Sequence, residues 1–167
     1  MSLLPPRLLE LATTTGAVGA GVVGGVLFGF SSFVMAALDR LPGDRAIEAM
    51  QSIDRHATSP DFMTAMFGTA GVATLVGVDG IRRLDEPDGR LLAIGAGSYL
   101  AAILVTITYH VPRNGRLARI STPVPDAAGI WRVHSRAWTR ANHVRTALAI
   151  AAATSFVLAT SARGAAP

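Results

Sequence analysis

Cysteine and lysine are absent from the 167 residues, and charged residues of any kind are scarce. The lack of cysteine excludes disulfide bonds, thiolate catalysis and Cys-ligated zinc or iron–sulfur sites. Because there is no lysine, all fifteen basic residues are arginine, and the abundance of Ala, Gly and Val favours a GC-rich, bacterial coding sequence. Charged residues make up only 16% of the chain, whereas soluble domains carry about a quarter.

The sequence contains several long runs of uncharged residues. Half of the residues are hydrophobic, and the mean hydropathy is +0.42. A membrane-spanning helix needs about 20 mostly apolar residues, and four stretches meet this requirement: 13–38, 62–80, 91–111 and 143–160. The first is too long for the apolar region of a signal peptide. We therefore predict an all-α, integral membrane four-helix bundle, multi-pass in the cell membrane, with residues 1–167 forming a single domain.

The fifteen arginines indicate how the bundle lies in the membrane. Four spans place both termini and the connection 82–90 on one side, and the two longer connections on the other. Ten arginines are on the side of the long connections and five on the side of the termini, so the positive-inside rule predicts cytoplasmic long connections. The net charge of +4 does not indicate a nucleic-acid partner, because the arginines flank apolar stretches and match anionic lipid headgroups.

The first span is rich in glycine, and two pairs have the GxxxG spacing, Gly21 with Gly25 and Gly25 with Gly29. Small residues at this spacing allow membrane helices to approach each other closely. We expect these glycines to pack against other helices of the same bundle rather than to form a dimer interface.

The three connections between the spans differ in character. The connection 82–90 is polar and is expected to be a plain exposed loop. The connection 39–61 contains a predicted short helix, 43–56, with apolar residues at helical spacing. The connection 112–142 begins with a proline-broken stretch and becomes helical after Asp126, leading without a break into the fourth span.

Two stripes run along this last helix before it enters the membrane. One face carries aromatic rings and the neighbouring face carries arginines: Trp131, His134 and Trp138, then Arg132, Arg136 and Arg140. An aromatic stripe beside a basic stripe is typical of the membrane–water boundary, so we predict an interfacial helix here.

Residues capable of acid–base or polar chemistry are concentrated at one end of the predicted bundle. The topology alone places ten of them there: His56, His110, His134, His143, Asp54, Asn114, Asn142, Arg145, Trp131 and Trp138. Polar groups at membrane depth face the bundle interior and often serve a function. Snorkelling of Arg145, or interfacial positions for His56 and His134, would explain the same residues without a function.

No short motif specifies the chemistry of this end. Imidazoles can bind copper, iron or zinc, and two of them from different helices can hold haem, but no HxH or HExxH spacing occurs. The sequence also lacks a GxGxxG after a strand, a Walker loop and GxSxG. We therefore predict no metal ligands and no cofactor, with haem or copper as the alternative.

Several ordered segments resemble the anthrone oxygenase-like family of small four-helix integral membrane proteins. They are FGF at 28–30, VMAAL at 34–38, MQSID at 50–54, VPRNGRL at 111–117 and WTRANHVR at 138–145. Their order and spacing extend over most of the chain, from residue 28 to residue 145. Two positions depart from the family pattern: Ala36 stands where Pro is common, and Asp54 stands where Asn is common. The second departure places a carboxylate at a candidate site position.

The resemblance implies oxidation of a lipophilic anthrone- or quinol-type compound with O₂, without metal or flavin. Such chemistry needs a base, donors for an oxyanion and an apolar pocket. It implies catalytic roles for His110, His56, Asp54 and Arg145, and substrate-binding roles for Asn114, Asn142, Trp138, Trp131 and His134.

Two other functions are compatible with the sequence. A non-catalytic membrane subunit, packed in a homo-oligomer or a larger complex, is favoured by the glycine-rich faces and short loops. A redox module would hold haem or a metal with two of the four histidines. Copurification of stoichiometric partners would identify a membrane subunit. A Soret band in the absorbance spectrum would identify a haem-binding redox module.

Overall fold

Helices form every regular element in the part of the chain that the structure, a computed structural model, describes, residues 2–164. They are α1 (Pro6–Leu38), α2 (Gly43–Ala57), α3 (Pro60–Ile81), α4 (Pro87–Leu117) and α5 (Ala127–Gly164). All except α2 are long and apolar enough to cross a membrane. The predicted all-α bundle with four spans is confirmed, and the chain is a multi-pass membrane protein.

The four spanning helices form a closed ring in which α1 and α4 each pack against both α3 and α5. Glycine permits the closest of these contacts. A Cβ atom at Gly77 would lie 2.5 Å from the Cβ of Ala96, and one at Gly95 would lie 2.7 Å from the ring of Phe156. These glycines pack within the bundle as expected.

The GxxxG pair of the first span behaves differently from these packing glycines. A Cβ atom at Gly21 or Gly25 would meet nothing within 4 Å among the described residues. The buried stripe of α1 passes through Ala20, Val23 and Leu27, so this pair points away from the neighbouring helices. The expectation that Gly21 and Gly25 pack inside the bundle is therefore wrong.

The outer surface of the bundle is apolar. Large hydrophobic side chains of the spanning helices are exposed along their length, among them Val18, Ile94, Leu104, Val144 and Val157. A soluble protein rarely exposes so continuous an apolar surface, whereas a bilayer covers it.

Helix α2 covers one end of the ring. It packs on α5 and on the last turns of α4, where Met50 contacts an apolar cluster that includes Leu117, Trp131 and Trp138. The aromatic stripe of α5 is therefore buried beneath α2, and only the arginine stripe is exposed. Helix α5 is continuous into the fourth span, as predicted, but its aromatic face packs inside the protein and is not exposed.

Helix α4 continues past the proline that was expected to end it. The predicted span stopped at residue 111, but α4 extends to Leu117. A π-helical segment, Thr106–His110, directly precedes Pro112. Proline lacks an amide donor and clashes with the preceding turn of a regular α-helix, and the wider π turn relieves both restrictions.

The connection 82–90 is not the plain loop that its composition suggested. The Arg83 side chain is buried and donates to Asp79 from Nε and Nη2, at 3.0 and 2.8 Å. Its Nη1 donates to Asp88 at 2.9 Å, and Asp88 also accepts from Arg163 Nη2 at 2.9 Å. These buried ion pairs join the ends of α3, α4 and α5 on the side of the termini.

Candidate functional site

A cavity of about 460 Å³ lies between the four spanning helices at the end that α2 covers. Its wall is mostly apolar, with side chains from every helix. The aliphatic and aromatic part includes Leu27, Phe30, Met50, Phe62, Met66, Tyr99, Ala102, Ile103 and Trp138. Ligand pockets commonly have this size and character, with a few placed polar groups.

Three of the four spanning helices contain a π-helical segment at this end. The segments are Phe30–Val34 in α1, Thr64–Gly68 in α3 and Thr106–His110 in α4. Each contributes side chains to the cavity wall, for example Phe30, Met66 and His110. Isolated π turns are rare and frequently occur at functional sites, because they widen the helix and redirect side chains.

His110 lies in the cavity wall at the end of its π segment. It is 2% exposed, and its ring meets the indole of Trp138 edge-on with centroids 4.9 Å apart. Neither ring nitrogen makes a hydrogen bond of good geometry with the described residues, although the Ala141 backbone lies close to the ring. Most buried polar groups in proteins are paired, so this imidazole is available to a molecule inside the cavity.

Arg145 reaches the same cavity from α5. Its side chain is buried, and its guanidinium carbon lies 5.4 Å from the centroid of the Trp138 ring. Nη1 donates to Thr106 Oγ1 at 3.2 Å, and Nη2 donates to Asn142 Oδ1 at 2.6 Å. Its Nε has no partner in the part of the chain that the structure describes. The charge is thus fixed in place, and the Nε–H donor has no partner among the described residues.

Asn142 supports Arg145 from behind and does not line the cavity. Its side chain is fully buried, and Nδ2 donates to the Leu27 carbonyl and to Ser31 Oγ, both at 2.8 Å. The two Nδ2 contacts link α5 to α1, and Oδ1, which accepts from Arg145 of the same helix, orients the guanidinium. This geometry gives Asn142 a positioning function.

A second chain of hydrogen bonds ends at Trp138. Asp54 Oδ1 accepts from Asn114 Nδ2 at 2.6 Å, and Asn114 Oδ1 accepts from Trp138 Nε1 at 3.0 Å. All three residues line the cavity. The chain connects α2, α4 and α5, and it determines the orientation of the indole against which His110 and Arg145 both pack.

The remaining predicted site residues lie at the rim or elsewhere. His56 lines the cavity but is exposed, and its Nδ1 donates to the Ser52 carbonyl at 2.8 Å. Trp131 and His134 do not line the cavity. Trp131 Nε1 donates to Asp39 Oδ1 at 2.9 Å, and His134 stacks on the Trp131 ring at 5.9 Å.

Two polar wall residues of α4 were missed by the sequence reasoning, Tyr99 and Thr106. The Tyr99 hydroxyl donates to the Met66 carbonyl at 3.1 Å, and Thr106 accepts from Arg145. Counting back along α4 from His110 in steps of three or four residues reaches Thr106, Ile103 and Tyr99, all of which line the cavity. That periodicity would have found them.

The arrangement can bind a flat apolar molecule and act on an acidic proton that the molecule carries. Among residues 2–164, no group of three or more His, Cys, Asp or Glu side chains is placed to hold a metal ion. The free imidazole of His110 can accept a proton, and the neighbouring guanidinium of Arg145 can stabilise the anion that results.

Comparison with known proteins gives one match. A family model described as anthrone oxygenase matches residues 56–155, which include α3, α4 and most of α5. The matched range contains His110, Trp138, Asn142 and Arg145, whereas Asp54 lies outside it. No curated protein and no solved structure matches the chain. Since the match covers more than half of the 167 residues, the chain belongs to the anthrone oxygenase family.

Proposed function

We propose that the protein oxidises a lipophilic anthrone- or quinol-type compound with O₂ in the cavity between its spanning helices. The observation that carries the proposal is the buried imidazole of His110, which has no hydrogen-bond partner for either ring nitrogen among the described residues. Leaving such a group unpaired costs about 1–3 kcal/mol. A substrate whose proton His110 accepts would give this imidazole a hydrogen-bond partner, and membership of the anthrone oxygenase family supports the same chemistry.

His110 is the base in this proposal because the other two candidates are engaged or exposed. His56 is exposed at the rim, and its Nδ1 donates to a carbonyl of its own helix. Asp54 accepts a short hydrogen bond from Asn114. A base needs to be within hydrogen-bond reach of the proton that it removes, and His110 alone among the three is both buried and free.

Arg145 stabilises the substrate anion. Its guanidinium is desolvated and is held by Thr106 and Asn142, so it does not have to reorganise when negative charge develops. Preorganised charges in a water-poor site act more strongly than the same charges in water. The free Nε and the proximity to Trp138 allow it to interact with an oxygen of a molecule stacked on the indole.

The proposed reaction balances with O₂ as the sole oxidant. His110 removes a proton from the methylene carbon of an anthrone, and the electron pair spreads to the carbonyl oxygen as a phenolate. The anion transfers one electron to O₂, the resulting carbon radical and superoxide join in a C–O bond, and the peroxide anion takes back the proton from His110 to give a hydroperoxide. Loss of the second proton from that carbon, with cleavage of the O–O bond, yields the anthraquinone and water.

The apolar wall suits a substrate that dissolves in the bilayer. Phe30 and Trp138 lie with ring centroids 5.5 Å apart, and Phe62 and Met66 extend the apolar surface. Aromatic rings of a tricyclic substrate would pack against these side chains, and exclusion of water strengthens the interaction with Arg145.

The test uses the full chain in detergent with anthrone as the probe. Anthraquinone formation is followed by absorbance, and O₂ consumption is followed with an electrode, both against protein-free anthrone because anthrone oxidises slowly by itself. We expect one O₂ per anthrone, and we expect His110→Phe to lower the protein-dependent rate by at least about 10²-fold. Tyr109→Phe, a change at the exposed neighbouring residue, should retain the rate.

The proposal fails if wild-type protein gives no rate above the protein-free background with anthrone or with a tricyclic hydroquinone. An equal rate in the wild type and His110→Phe would mean that the protein oxidises anthrone but that His110 is not the base.

A further inference from the structure

A second cavity, separate from the one described above, lies between the end of α4 and the beginning of α5. Its volume is about 480 Å³, and it shares no lining residue with the first cavity. Four side chains that carry or can carry positive charge line it: Arg113, Arg116, Arg132 and His134. Asp126 is the acidic residue of the wall.

The positive charges of this second cavity are not neutralised within the described chain. None of the three arginines forms a salt bridge with a residue that the structure describes. The carboxylate of Asp126 accepts from the Gly129 amide at 3.2 Å, at the beginning of α5. The wall therefore retains an excess of positive charge, which favours an anionic ligand.

Two buried nitrogen atoms of this wall also lack partners. His134 is 7% exposed, and its Nε2 has no hydrogen-bond partner among residues 2–164. Its ring stacks on Trp131, which fixes its orientation. The Nε of Arg113 is buried and unpaired too, and its guanidinium lies 4.9 Å from the centroid of the Tyr109 ring. Packing thus orients two buried nitrogens that have no partner within the described chain, the Nε–H donor of Arg113 and Nε2 of His134.

We propose that this second cavity binds a phosphate group, held by Arg113, Arg116, Arg132 and His134. Guanidinium groups bind phosphate oxygens with short, charge-assisted hydrogen bonds, and an imidazole N–H can add a further donor. The proposal is independent of the proposed oxidation.

The position of the cavity indicates where the phosphate comes from. It lies where the polar end of α4 and the first turns of α5 leave the apolar part of the bundle, next to the exposed Val133 and Tyr109. Basic pockets between membrane helices at this level bind the headgroups of anionic lipids. An anionic phospholipid would place its phosphate among the arginines and its acyl chains along the apolar surface of α4 and α5.

The experiment compares two double variants of the full chain in a neutral detergent. Arg116→Gln with Arg132→Gln removes two exposed charges from the wall of the second cavity. Arg119→Gln with Arg140→Gln removes two exposed charges that do not line it. Each protein is titrated with short-chain phosphatidylglycerol, with phosphatidylcholine of the same acyl length, and with inorganic phosphate at matched ionic strength, and the rise in unfolding temperature gives the apparent Kd.

Wild-type protein should bind phosphatidylglycerol more tightly than phosphatidylcholine. The first double variant should weaken that binding by about tenfold or more, and the second should change it by less than about twofold. A response to inorganic phosphate equal to the response to phosphatidylglycerol, lost in the first variant only, would support the site with a soluble ligand. If the wild type binds neither phosphatidylglycerol nor inorganic phosphate more tightly than phosphatidylcholine, or if both double variants weaken binding equally, the proposal is overturned.

Discussion

The imidazole of His110 meets the indole of Trp138 edge-on, with ring planes at 86° and centroids 4.9 Å apart. Aromatic packing against Trp138 and Tyr109 holds the imidazole, since neither of its nitrogens makes a hydrogen bond of good geometry within the described chain. The indole itself is oriented by Asn114. His110 is therefore held by aromatic packing while its nitrogens stay free, which is unusual for a buried histidine and leads to the first prediction.

His110→Phe should leave the stability of the protein unchanged or raise it by about 1–3 kcal/mol, because it retains the ring contact and removes two buried unpaired nitrogens. Thermal unfolding in detergent measures this, with His56→Phe at the exposed rim as the control. A loss of stability of the size expected for a broken hydrogen bond would mean that the imidazole has a polar partner.

Two substitutions of Arg145 should separate the contribution of its charge to turnover from the contribution of its planar hydrogen-bond geometry. Arg145→Met removes the cation, and we expect turnover of anthrone to fall by about 10²–10³-fold, as for loss of one oxyanion donor. Arg145→Lys retains the charge but loses the planar contacts with Thr106 and Asn142, so an intermediate rate is expected. The exposed Arg140→Met serves as the control. Equal rates in the Met and Lys variants would exclude a contribution from the charge.

Asp54 gives a test of whether its charge or its hydrogen bond matters. Asp54→Asn keeps an oxygen that can accept from Asn114 Nδ2, so we expect turnover within about threefold of the wild type, whereas Asp54→Ala breaks the hydrogen bond. Turnover in the Ala variant should fall roughly tenfold, which corresponds to the free energy of one hydrogen bond. Steady-state rates with anthrone measure both. A rate in the Asn variant as low as in the Ala variant would make the carboxylate itself part of the acid–base chemistry.

The volume of the first cavity should limit the size of the substrate that can bind. Ala102 is buried in its wall, and Ala102→Leu would extend a side chain into the space with little strain elsewhere. We expect binding of anthraquinone, followed by quenching of tryptophan fluorescence, to weaken by about tenfold or more. Ala101→Leu places the same side chain on the adjacent position, which does not line the cavity. Equal binding in the two variants would locate the ligand elsewhere.

The ion pairs at the opposite end should stabilise the bundle without affecting the first cavity. Burial opposes the charge of Arg83, but hydrogen bonds from Arg83 to Asp88, Glu86 and Asp79 outweigh it and raise the pKa of its guanidinium above the ordinary value. Arg83→Met leaves buried carboxylates without their cation and should lower the unfolding free energy by about 3–5 kcal/mol.

The exposed Arg82→Met is the matched control for Arg83→Met and should have little effect on unfolding. A change in anthraquinone affinity in Arg83→Met below the unfolding transition would show that the two ends are coupled, contrary to this prediction.

The sequence predicted the helices because each span depends on local composition. A segment of about 20 apolar residues without charge is stable in lipid only as a helix. Charged residues and prolines on either side marked where these segments begin and end. The continuity of α5 followed for the same reason. The end of α4 could not be predicted from local composition. The π turn that tolerates Pro112 depends on packing around His110 rather than on local preference.

By itself, the sequence determined that His110, Arg145, Asn114 and Asp54 would lie at one end of the bundle, since the order of the spans sets their height. Only the tertiary structure decided which of the residues at that end line one cavity. Rotation of each helix about its axis, set by packing of its neighbours, turned Trp131 and His134 away and brought Tyr99 and Thr106 in. The pairing of Asp88 with Arg163 was likewise decided in three dimensions, because these two residues lie 75 positions apart in the chain.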